Sequence, residues 1–331
     1  MGKEKNIEKL VSVVIINRER KDFLNRCLAS LKLQTYLKIE IIVVDNNSQD
    51  GSLELLESNY PEIKCIRNKK NEYYCKAANQ GISEARGEYV LCLNNDIVLT
   101  PDYISETIKC FAIDDRIGMV SGKILKADKA KIDSTGLFLG RSRKPVDRGY
   151  QKEAGVIFWE SGYTFGASGS ASLFKKEMLA EIKINNEYFD EDFKIYYEDL
   201  DISWRANILG WKGYYTSLAI GMHYRGGTSK ENGRRLFKSF DFPYLNLQCK
   251  KHLIKNRYLT MLKNDRLSDF LLNLPFILIY EIKLWFYLLL FEPKIVKDII
   301  NNIPQMKRFI KKSLKKKALF MKKKSELVLN N

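Results

Sequence analysis

Two short segments contain side chains whose types and spacing suit chemistry. The segment Asn94-Asn95-Asp96 follows residues 89–93, a run of buried character, and places two carboxamides and one carboxylate at its end. The pair Glu198-Asp199 sets two acids side by side at the start of a helical pattern. A carboxylate is a ligand for divalent cations, and a well-placed carboxylate acts as a general base. The first segment therefore predicts metal binding, and the second predicts proton transfer.

Further polar residues follow other strand-like runs. Asp45 ends the run at residues 39–44, so that it and Asp96 are acids at neighbouring strand ends. The asparagines that accompany them are Asn17, Asn46, Asn47, Asn79, Asn94 and Asn95. Such a rim suits a ligand that carries a base, a ribose and phosphates. Neither GxGxxG nor GxxxxGK(S/T) occurs, so we expect a divalent cation on carboxylate oxygen to balance the phosphate charge.

The elements that must position these residues alternate between strand and helix over the first 120 residues. Strand-like runs lie at residues 11–16, 39–44, 63–66 and 89–93, and the helical patterns between them include 24–31 and 77–85. Right-handed crossovers turn this order into an α/β fold, a parallel sheet with helices on both faces. The carboxyl ends of such strands meet at one edge, so the polar groups that follow them should cluster.

The second half of the chain has a less regular pattern. The predicted elements are strands at 120–125, 135–139 and 211–224, a polar loop at 141–153, a turn into a strand at 166–174, and helices at 176–182 and 198–209. The last strand ends near His223, one of two histidines, within Gly-Met-His-Tyr-Arg-Gly-Gly. Glycines there allow close approach of a ligand to the backbone, and a neutral imidazole binds divalent metals.

Each of these residues also has a structural interpretation. An Asp after a strand commonly forms a turn, and acids in a first helical turn complement the helix dipole. Asp201 and Arg205 stand at i,i+4, and an ordinary helix pair is the favoured interpretation of Asp201. A lone histidine at a strand end is usually structural. Repulsion between the adjacent Glu198 and Asp199 favours a function for one of them.

Composition and charge favour a soluble enzyme with a basic C-terminal region. The chain has 331 residues, 45% of them hydrophobic, which is enough for a full core. Six cysteines show neither CxxC spacing nor a disulfide framework, which favours reduced thiols in a cytosolic protein, and no secretion signal is recognised. Residues 241–331 hold 19 Lys and Arg against 7 Asp and Glu, so this region accounts for +12 of the net charge of +16. We therefore expect a catalytic domain at 1–240 and a helical, apolar and basic region at 241–331.

The C-terminal region favours association with a membrane. Residues 270–291 are strongly apolar but contain a proline and three polar or charged residues, which argues against a clean transmembrane segment. A helix or helical pair in the interface fits better, and a buried docking helix stays open. Residues 307–324 hold ten Lys and Arg and no acid. A disordered tail is the plain alternative, but beside an apolar segment attachment to anionic lipid is favoured over it.

Together these segments resemble the family 2 glycosyltransferases with a GT-A fold, a Rossmann-like mixed sheet flanked by helices. The resemblance is especially to the bacterial cell-surface polysaccharide branch, which includes rhamnosyltransferases, and it extends from about residue 10 to 230. The segments that carry it, in order, are VSVVIINRER, IIVVDNNSQDGS, NEYYCKAANQGI, GEYVLCLNNDIVLTPDYI, GASGSASLF, YYEDLDISWRANILGWKG and MHYRGG. One such segment alone has little specificity, whereas the ordered series at family spacing is highly specific.

The resemblance implies a role for each candidate residue. On the nucleotide-sugar side it places Asn17, Asp45, Asn79, Asn94 and Asn95, with Asp45 on the base and residues 94–96 at the DxD position. It implies that Asp96 and His223 are metal ligands, and that Asp199 is the catalytic base. Ser168, Gly169 and Glu198 fall on the acceptor side.

The function that the resemblance implies is an inverting, metal-dependent transfer of one sugar. The donor would be dTDP-rhamnose or a UDP-sugar, the cofactor Mg²⁺ or Mn²⁺, and the acceptor a hydroxyl of a lipid-linked or cell-surface glycan. The enzyme would lie on the inner face of the cell membrane, bound to anionic lipid by its C-terminal region. No QxxRW segment follows the catalytic motifs, which favours a single addition over processive synthesis.

Two departures from the family pattern bear on this function. Asn94 stands at the first DxD position, which removes one anionic ligand, and Asn71-Glu72-Tyr73-Tyr74 stands where relatives usually have Asn-x-Gly-Phe. Two alternatives stay open. A sugar-1-phosphate nucleotidyltransferase also uses such a sheet, but the loop after the first strand lacks the glycines of that class. A non-enzymatic basic protein that binds membranes or nucleic acid is the other, and we expect no nucleic-acid partner because few aromatics interleave the lysines.

Overall fold

The computed structural model describes residues 9–155, 158–225 and 245–329, which form a mixed sheet flanked by helices. The strands are β1 (Val11–Asn17), β2 (Ile39–Asp45), β3 (Lys64–Arg67), β4 (Tyr89–Asn94), β5 (Ile97–Leu99), β6 (Ile117–Lys126), β7 (Ile132–Ser134), β8 (Leu137–Leu139), β9 (Pro145–Asp147), β10 (Gly162–Thr164), β11 (Ala171–Lys175) and β12 (Lys212–His223). The helices are α1 (Lys21–Lys32), α2 (Ser52–Asn59), α3 (Tyr73–Glu84), α4 (Tyr103–Lys109), α5 (Lys176–Ile182), α6 (Glu198–Ile208), α7 (Leu247–Asn264), α8 (Leu267–Phe291), α9 (Pro293–Asn301) and α10 (Ile303–Leu329). The predicted α/β fold is confirmed.

The first half of the sheet is parallel, as the alternating pattern predicts. Strands β3, β2, β1 and β4 lie side by side in that order, with the helices α1, α2 and α3 in the crossovers. The register sets the end of β1 opposite both neighbours, because Asn17 pairs with Asp45 and Ile16 pairs with Asn94. Three polar strand ends therefore meet at one edge of the sheet.

The second half of the sheet is mixed. β11 runs antiparallel to β4 and to β6, and β12 runs parallel to β6. The short strand β5 pairs with the end of β12, with Ile97 opposite His223. Asp96 immediately precedes β5. This pairing therefore brings Asp96 and His223, which are more than a hundred positions apart in the sequence, to the same edge of the sheet.

Two details of the predicted second half are wrong. Residues 135–139 are not one strand, because β7 ends at Ser134 and β8 begins at Leu137, with Gly136 at φ 107 between them. Residues 141–153 are not entirely loop, because β9 lies within them and pairs antiparallel with β8. The polar composition that predicted a loop also suits a short hairpin strand with only one covered face.

Apolar side chains fill both faces of the sheet. One core cluster packs α1, α2 and α4 against the strands, and Leu24, Leu28 and Leu31 of α1 are buried there at the predicted helical spacing. The opposite cluster contains α3, α5 and α6. It also contains Leu259 of α7 and Phe320 of α10. The two C-terminal helices therefore complete the core beneath the sheet.

The basic C-terminal run is not a disordered tail, because it lies within helix α10. Lys316 forms ion pairs with Glu187, Asp190 and Asp192, at 2.9, 2.5 and 3.1 Å respectively. Lys263 of α7 lies 2.7 Å from Asp190. Part of the positive charge therefore attaches these helices to an acidic loop of the first 240 residues. The division at residue 240 falls outside the described residues and stays a prediction.

Helix α8 is long and apolar enough to cross a membrane by length and composition, and only 22% of its most apolar stretch is buried. Its exposed apolar residues are Leu267, Leu271, Leu272, Phe276, Leu278, Ile279, Ile282, Phe286, Leu289 and Leu290. The opposite face packs on α7 and α9 through Leu284, Tyr287 and Leu288. Exposed apolar surface of this extent is typical of a site of association with a membrane or another molecule.

Candidate active site

The parallel strand ends are joined by a chain of hydrogen bonds. Asp45 is fully buried and accepts from Asn17 Nδ2 at 2.9 Å, from Ser48 Oγ at 2.6 Å and from the Ser48 amide at 2.8 Å. Asn17 Oδ1 in turn accepts from Asn95 Nδ2 at 2.8 Å. The structure thus brings Asn17, Asp45 and Asn95 together as predicted. The burial of Asp45 makes it a residue that positions Asn17, and a role on the nucleotide base stays a prediction.

Asp96 and His223 lie in contact at the same edge. His223 Nε2 is 3.1 Å from Asp96 Oδ1, and Arg20 Nη1 is 3.0 Å from Asp96 Oδ2. The other ring nitrogen of His223, Nδ1, lies 2.8 Å from Asp133 Oδ2, and Arg225 Nε donates to Asp133 Oδ1 at 2.6 Å. Basic and acidic groups therefore alternate from Arg20 to Arg225.

The pKa values of this chain reflect that alternation. Burial lowers the pKa of His223, but its hydrogen bonds with Asp133 and Asp96 outweigh burial, and the net pKa is raised. Burial raises the pKa of Asp133, but His223 and Arg225 outweigh it and hold the net pKa below its usual value. The imidazole is thus fixed in orientation between two carboxylates.

This donor set fits a divalent cation. Carboxylate and imidazole are both ligands for Mn²⁺-type metals, and a carboxylate on the second ring nitrogen is the usual partner of a metal-binding histidine. Within the described residues no three His, Cys, Asp or Glu side chains converge on one point. Asp96 and His223 would therefore supply two ligands, and phosphate oxygens and water the others.

Asn94 and the acceptor-side residues lie where β4 meets β11. The Asn94 amide donates to the Ser170 carbonyl at 2.9 Å, and Ser168 and Gly169 occupy the turn that precedes β11. The Gly169 amide donates to Asp199 Oδ2 at 3.1 Å. A Cβ at position 169 would lie 3.3 Å from that oxygen, so glycine permits the close approach. The turn and the start of α6 are thereby joined.

Glu198 and Asp199 begin α6 and are partly recessed from solvent. Burial and then the charge of Asp147 raise the pKa of Asp199 to about 6. Burial and then the charge of Asp199 raise the pKa of Glu198 to about 8. Both carboxyl groups therefore hold a proton more readily than an ordinary carboxyl group, and the pKa of Glu198 is raised further than that of Asp199, which is the order expected between a neutral neighbour and a base.

Several polar atoms around this pair have no hydrogen-bond partner in the described part of the chain. They are Asp147 Oδ1, Ser170 Oγ, Glu198 Oε2 and Ser203 Oγ. Buried polar groups are nearly always paired, and leaving one unpaired costs about 1–3 kcal/mol.

Asn79 and Asp201 form their side-chain contacts with other parts of the chain. The Asn79 side chain is hydrogen-bonded to the loop before α6. Its Nδ2 donates to the Phe189 carbonyl at 2.8 Å, and its Oδ1 accepts from the Phe189 amide at 2.8 Å. Its position near the nucleotide stays a prediction. Asp201 pairs with Arg205 at 3.0 Å and with Lys263 at 2.6 Å, which agrees with the structural interpretation.

The departure from Asn-x-Gly-Phe has a structural counterpart. Tyr73, which stands at the glycine position, adopts φ 61, in the left-handed region that glycine occupies most readily. Its ring packs edge-on against His252 at 5.6 Å, and the Lys194 ammonium lies 4.7 Å from the ring centre. The contact with His252 of helix α7 therefore stabilises a left-handed backbone that a glycine would adopt without strain.

Sequence reasoning missed Arg20, Asp133, Asp147 and Arg225 as site residues. Asp133 lies in a short buried strand, and a lone acid between Ile132 and Ser134 is the signal that could have indicated it. Asp147 falls in the segment predicted to be a polar loop, where an acid carries no particular signal. Gly226 and Gly227, which follow Arg225, lie outside the described residues.

The fold and this edge define a class of protein. Open α/β sheets bind ligands at the carboxyl ends of their strands, which is where this protein carries acidic and amide groups. The family model "Glycosyl transferase family 2" matches residues 12–182, and the chain belongs to that family. The predicted family 2 glycosyltransferase is thereby confirmed, and the nucleotidyltransferase and non-enzymatic alternatives are set aside.

Curated relatives agree with this assignment. The chain is similar to poly-beta-1,6-N-acetyl-D-glucosamine synthase of Staphylococcus aureus (strain MSSA476), at 26% identity over 224 residues, covering 65% of this chain and 50% of the relative. The Staphylococcus epidermidis protein of the same name is 27% identical over 199 residues, covering 58% of this chain and 44% of that one. The chain spans about half the length of these relatives.

Solved structures agree on the fold. GalNAc-T7 with UDP, GalNAc and Mn²⁺ has a TM-score of 0.57 at 16% identity, covering 77% of this chain and 48% of that chain. Mannosyltransferase PcManGT from Pyrobaculum calidifontis, in complex with GDP-Man and Mn²⁺, has a TM-score of 0.55 at 13% identity, covering 98% of this chain and 89% of that chain. The GT-A architecture expected from the resemblance is confirmed.

Proposed function

We propose that this protein transfers a single sugar, with inversion, from a nucleotide-sugar to a hydroxyl of a lipid-linked or cell-surface glycan. The observation that carries the proposal is the environment of Asp199. Its carboxylate is oriented by the Gly169 amide, has a pKa raised to about 6, and lies beside polar atoms without partners. Family membership supports the reaction type, and this environment supports Asp199 as the group that performs it.

Asp199 acts as the general base on the acceptor. A base with a pKa just below the working pH is ionised yet still takes up a proton effectively. The incoming hydroxyl donates its proton to Asp199 while its oxygen attacks the anomeric carbon from the face opposite the leaving nucleotide. The sugar therefore changes anomeric configuration in a single displacement. Because the pKa of Glu198 is raised to about 8, this neighbour favours its neutral form. It then adds no second negative charge beside the Asp199 carboxylate.

The donor is held at the parallel strand ends. Asn94 and Asn95 are partly exposed along that edge, Asn17 is buried behind them and holds Asn95, and Arg20 brings a guanidinium that is 37% exposed. Asp96 and His223 would hold a Mn²⁺ or Mg²⁺ ion, which supplies charge to balance the diphosphate of the leaving nucleotide. The presence of Mn²⁺ in the solved structures of GalNAc-T7 and PcManGT supports the metal. dTDP-rhamnose and UDP-sugars are the proposed donors.

The C-terminal helices support an acceptor in the membrane. α8 exposes an apolar face, and α10 carries lysines, such as Lys311 and Lys315, that point into solvent. An exposed apolar helix in the same region as solvent-exposed lysines suits the surface of an anionic bilayer. We place the enzyme on the cytoplasmic face of the cell membrane, where lipid-linked intermediates are accessible.

A donor screen tests the proposal. Thermal unfolding of the full chain is followed with dTDP-rhamnose and a panel of UDP-sugars, each with Mn²⁺, with Mg²⁺ and with chelator, because only a bound ligand shifts stability. We expect one donor to raise the midpoint in the presence of metal, and the Asp96→Asn variant to lose that shift. No shift with any nucleotide-sugar would contradict the proposal, and an equal shift in chelator would contradict the metal site.

A further inference from the structure

The turn at residues 193–197, which leads into α6, has a strained backbone. Three of its residues adopt the left-handed region although none is glycine, namely Lys194 at φ 67, Tyr196 at φ 71 and Tyr197 at φ 69. This region is unfavourable for residues with a Cβ, and it persists only where surrounding contacts hold the backbone. Tyr197 is the residue from which α6 begins, so its backbone sets the direction of the helix and of Asp199. The contacts that hold this turn therefore bear on the proposed base.

Asn256 of α7 supplies three of those contacts. Its Nδ2 donates to three carbonyl oxygens of the turn at 2.9, 2.8 and 2.7 Å, which belong to Phe193, Ile195 and Tyr196 respectively. The side chain is fully buried. An amide nitrogen carries two hydrogens, so the three acceptors share them. A carboxylate of the same shape would instead set its oxygens against three carbonyl oxygens, which is why the position requires a donor.

The remaining carbonyls of the turn bond to other elements. The Lys194 carbonyl accepts from the backbone of α3 at 3.0 Å, and the Tyr197 carbonyl accepts from the backbone of α6 at 2.9 Å. The carbonyls of Ile195 and Tyr196 lie between these two and bond to α7 through Asn256. A carbonyl that is removed from water and left without a donor is unfavourable. This conformation of the turn therefore depends on α7.

The position of Asp199 depends in turn on this backbone. Asp199 Oδ2 accepts from the Gly169 amide at 3.1 Å, which joins the start of α6 to the turn before β11. Rotation of the backbone at Tyr197 would move Asp199 relative to Gly169. A displacement of about 1 Å at a reacting group lowers a rate by about 10²-fold. A side chain that holds the turn thus affects the chemistry through Asp199.

We propose that Asn256 is a positioning residue for sugar transfer, which holds the turn at residues 193–197 in the conformation that directs Asp199 towards Gly169. The proposal rests on the proposed function, because it assigns to Asp199 the role of the base. Asn256 lies beyond residues 12–182, which match the family model. The C-terminal region therefore serves the chemistry in addition to the membrane association proposed above.

Hydrogen exchange of the full chain tests this role without any substrate. Asn256→Ala removes the donor of all three carbonyls, so the turn should relax and the bond between Gly169 and Asp199 should open more often. We expect the Gly169 amide to exchange at least about tenfold faster than in wild type, while exchange in β1 stays as in wild type. Unchanged exchange at Gly169 would overturn the proposal.

Asn264→Ala is the matched control, because Asn264 is a buried asparagine of the same helix. Its Nδ2 donates to Asp201 Oδ1 at 2.8 Å, beside the ion pair with Lys263 rather than at the turn. We expect this variant to lower the unfolding midpoint as Asn256→Ala does, but to leave exchange of the Gly169 amide as in wild type. Equally faster exchange at Gly169 in both variants would replace the proposal with a general loss of stability.

Asn256→Ser extends the test to a milder change. A serine hydroxyl keeps one donor hydrogen in place of the two of the amide, so this variant should fold even where Asn256→Ala does not. Its Gly169 amide should exchange faster than that of wild type. An exchange rate equal to that of wild type would contradict the proposal.

Steady-state kinetics measures whether the displacement reaches the chemistry. Release of nucleoside diphosphate is followed with dTDP-rhamnose or the UDP-sugar that the thermal screen selects, with octyl glucoside as the acceptor, well below the unfolding midpoint of each variant. We expect kcat to fall by about 10–100-fold in Asn256→Ala, with KM for the donor within about twofold of wild type, because the turn does not hold the donor. An unchanged kcat would overturn the proposal.

The outcome is distinguishable from failure of the proposed function. Faster exchange at Gly169 in Asn256→Ala, in a protein that binds no nucleotide-sugar, supports the hold of α7 on the turn and contradicts the transferase. Wild type that is stabilised by a nucleotide-sugar with Mn²⁺, together with unchanged exchange at Gly169 in Asn256→Ala, overturns the role of Asn256 and leaves the transferase standing.

Discussion

Two clusters of recessed acids in this protein differ in how their charge is balanced. In the loop before α6, Asp190 lies 2.7 Å from Lys263 and 2.5 Å from Lys316. Burial raises the pKa of Asp190, but these two ammonium groups outweigh it, and the net pKa falls far below the ordinary value. This cluster is neutralised, and it joins two C-terminal helices to the sheet domain.

The second cluster, at the start of α6, has the opposite character. Asp147, Glu198 and Asp199 form no ion pair in the described residues, and burial raises the pKa of all three. Glu198 and Asp199 follow Asp190 by fewer than ten residues of sequence, and the two clusters contain the same side-chain types. The comparison shows that an ion pair with a lysine distinguishes an acid that stabilises the fold from one that keeps a raised pKa and can exchange a proton. The side-chain type and the burial are similar in both clusters.

Replacement of Asp199 should have the largest effect. Asp199→Asn keeps an oxygen for the Gly169 amide but removes the base, so sugar transfer should fall by about 10²–10⁴-fold while donor binding is retained. Initial rates of product formation and donor-dependent thermal shifts measure the two properties. Asp115→Asn, at an exposed surface position, is the control with the same change of charge. Transfer within a few-fold of wild type in Asp199→Asn would remove the residue from the mechanism.

Replacement of Asp190 should instead act on stability. Asp190→Asn leaves Lys263 and Lys316 with fewer anions in a buried place, and we expect the free energy of unfolding to fall by about 3 kcal/mol. Denaturant unfolding of this variant and of Asp115→Asn gives the comparison. Stability unchanged in Asp190→Asn, or a loss as large in the surface control, would show that the two acid clusters do not differ in the way described.

Replacement of Glu198 should have a smaller effect, and of opposite sign. Because the folded-state pKa is about 8 and the ordinary value is 4.5, the folded protein keeps a proton that the unfolded chain releases between these pH values. Wild-type stability therefore decreases as pH rises across that range. Glu198→Gln removes the penalty and should raise the melting midpoint at pH 8 by about 2–4 °C, with little difference at pH 4.5. A difference that is the same at both pH values would contradict the raised pKa.

The sheet and its edge were largely predictable from the sequence. Continuous β-branched runs such as residues 11–16 predict strands that are covered on both faces, and the parallel register then requires Asn17, Asp45 and Asn94 to meet. The pairing of Asp96 with His223 was expected from the resemblance, which implies that both are metal ligands, and the missing acid at position 94 left a place for a second one. The structure shows its cause, since β5 pairs with the end of β12.

Other features depend on long-range packing that local patterns do not encode. The sequence of α10 predicts a basic helical region, with a disordered tail as the less favoured alternative, and only the acidic residues at 187–192 decide that Lys316 is buried. Asp147 likewise has no local signal, because its role depends on a hairpin that places it near Asp199. The left-handed backbone at Tyr73 is another such case, since contacts with α7 stabilise it.

The pH dependence of kcat/KM for sugar transfer, in wild type and Asp147→Asn, tests the central claim most directly. If Asp199 is a base whose pKa is raised by burial and by the unpaired charge of Asp147, activity should rise with pH through a midpoint near 6. Removal of the Asp147 charge should lower that midpoint by about half a unit or more. A profile that is flat between pH 5 and 7, or a midpoint that does not move in Asp147→Asn, would contradict the account.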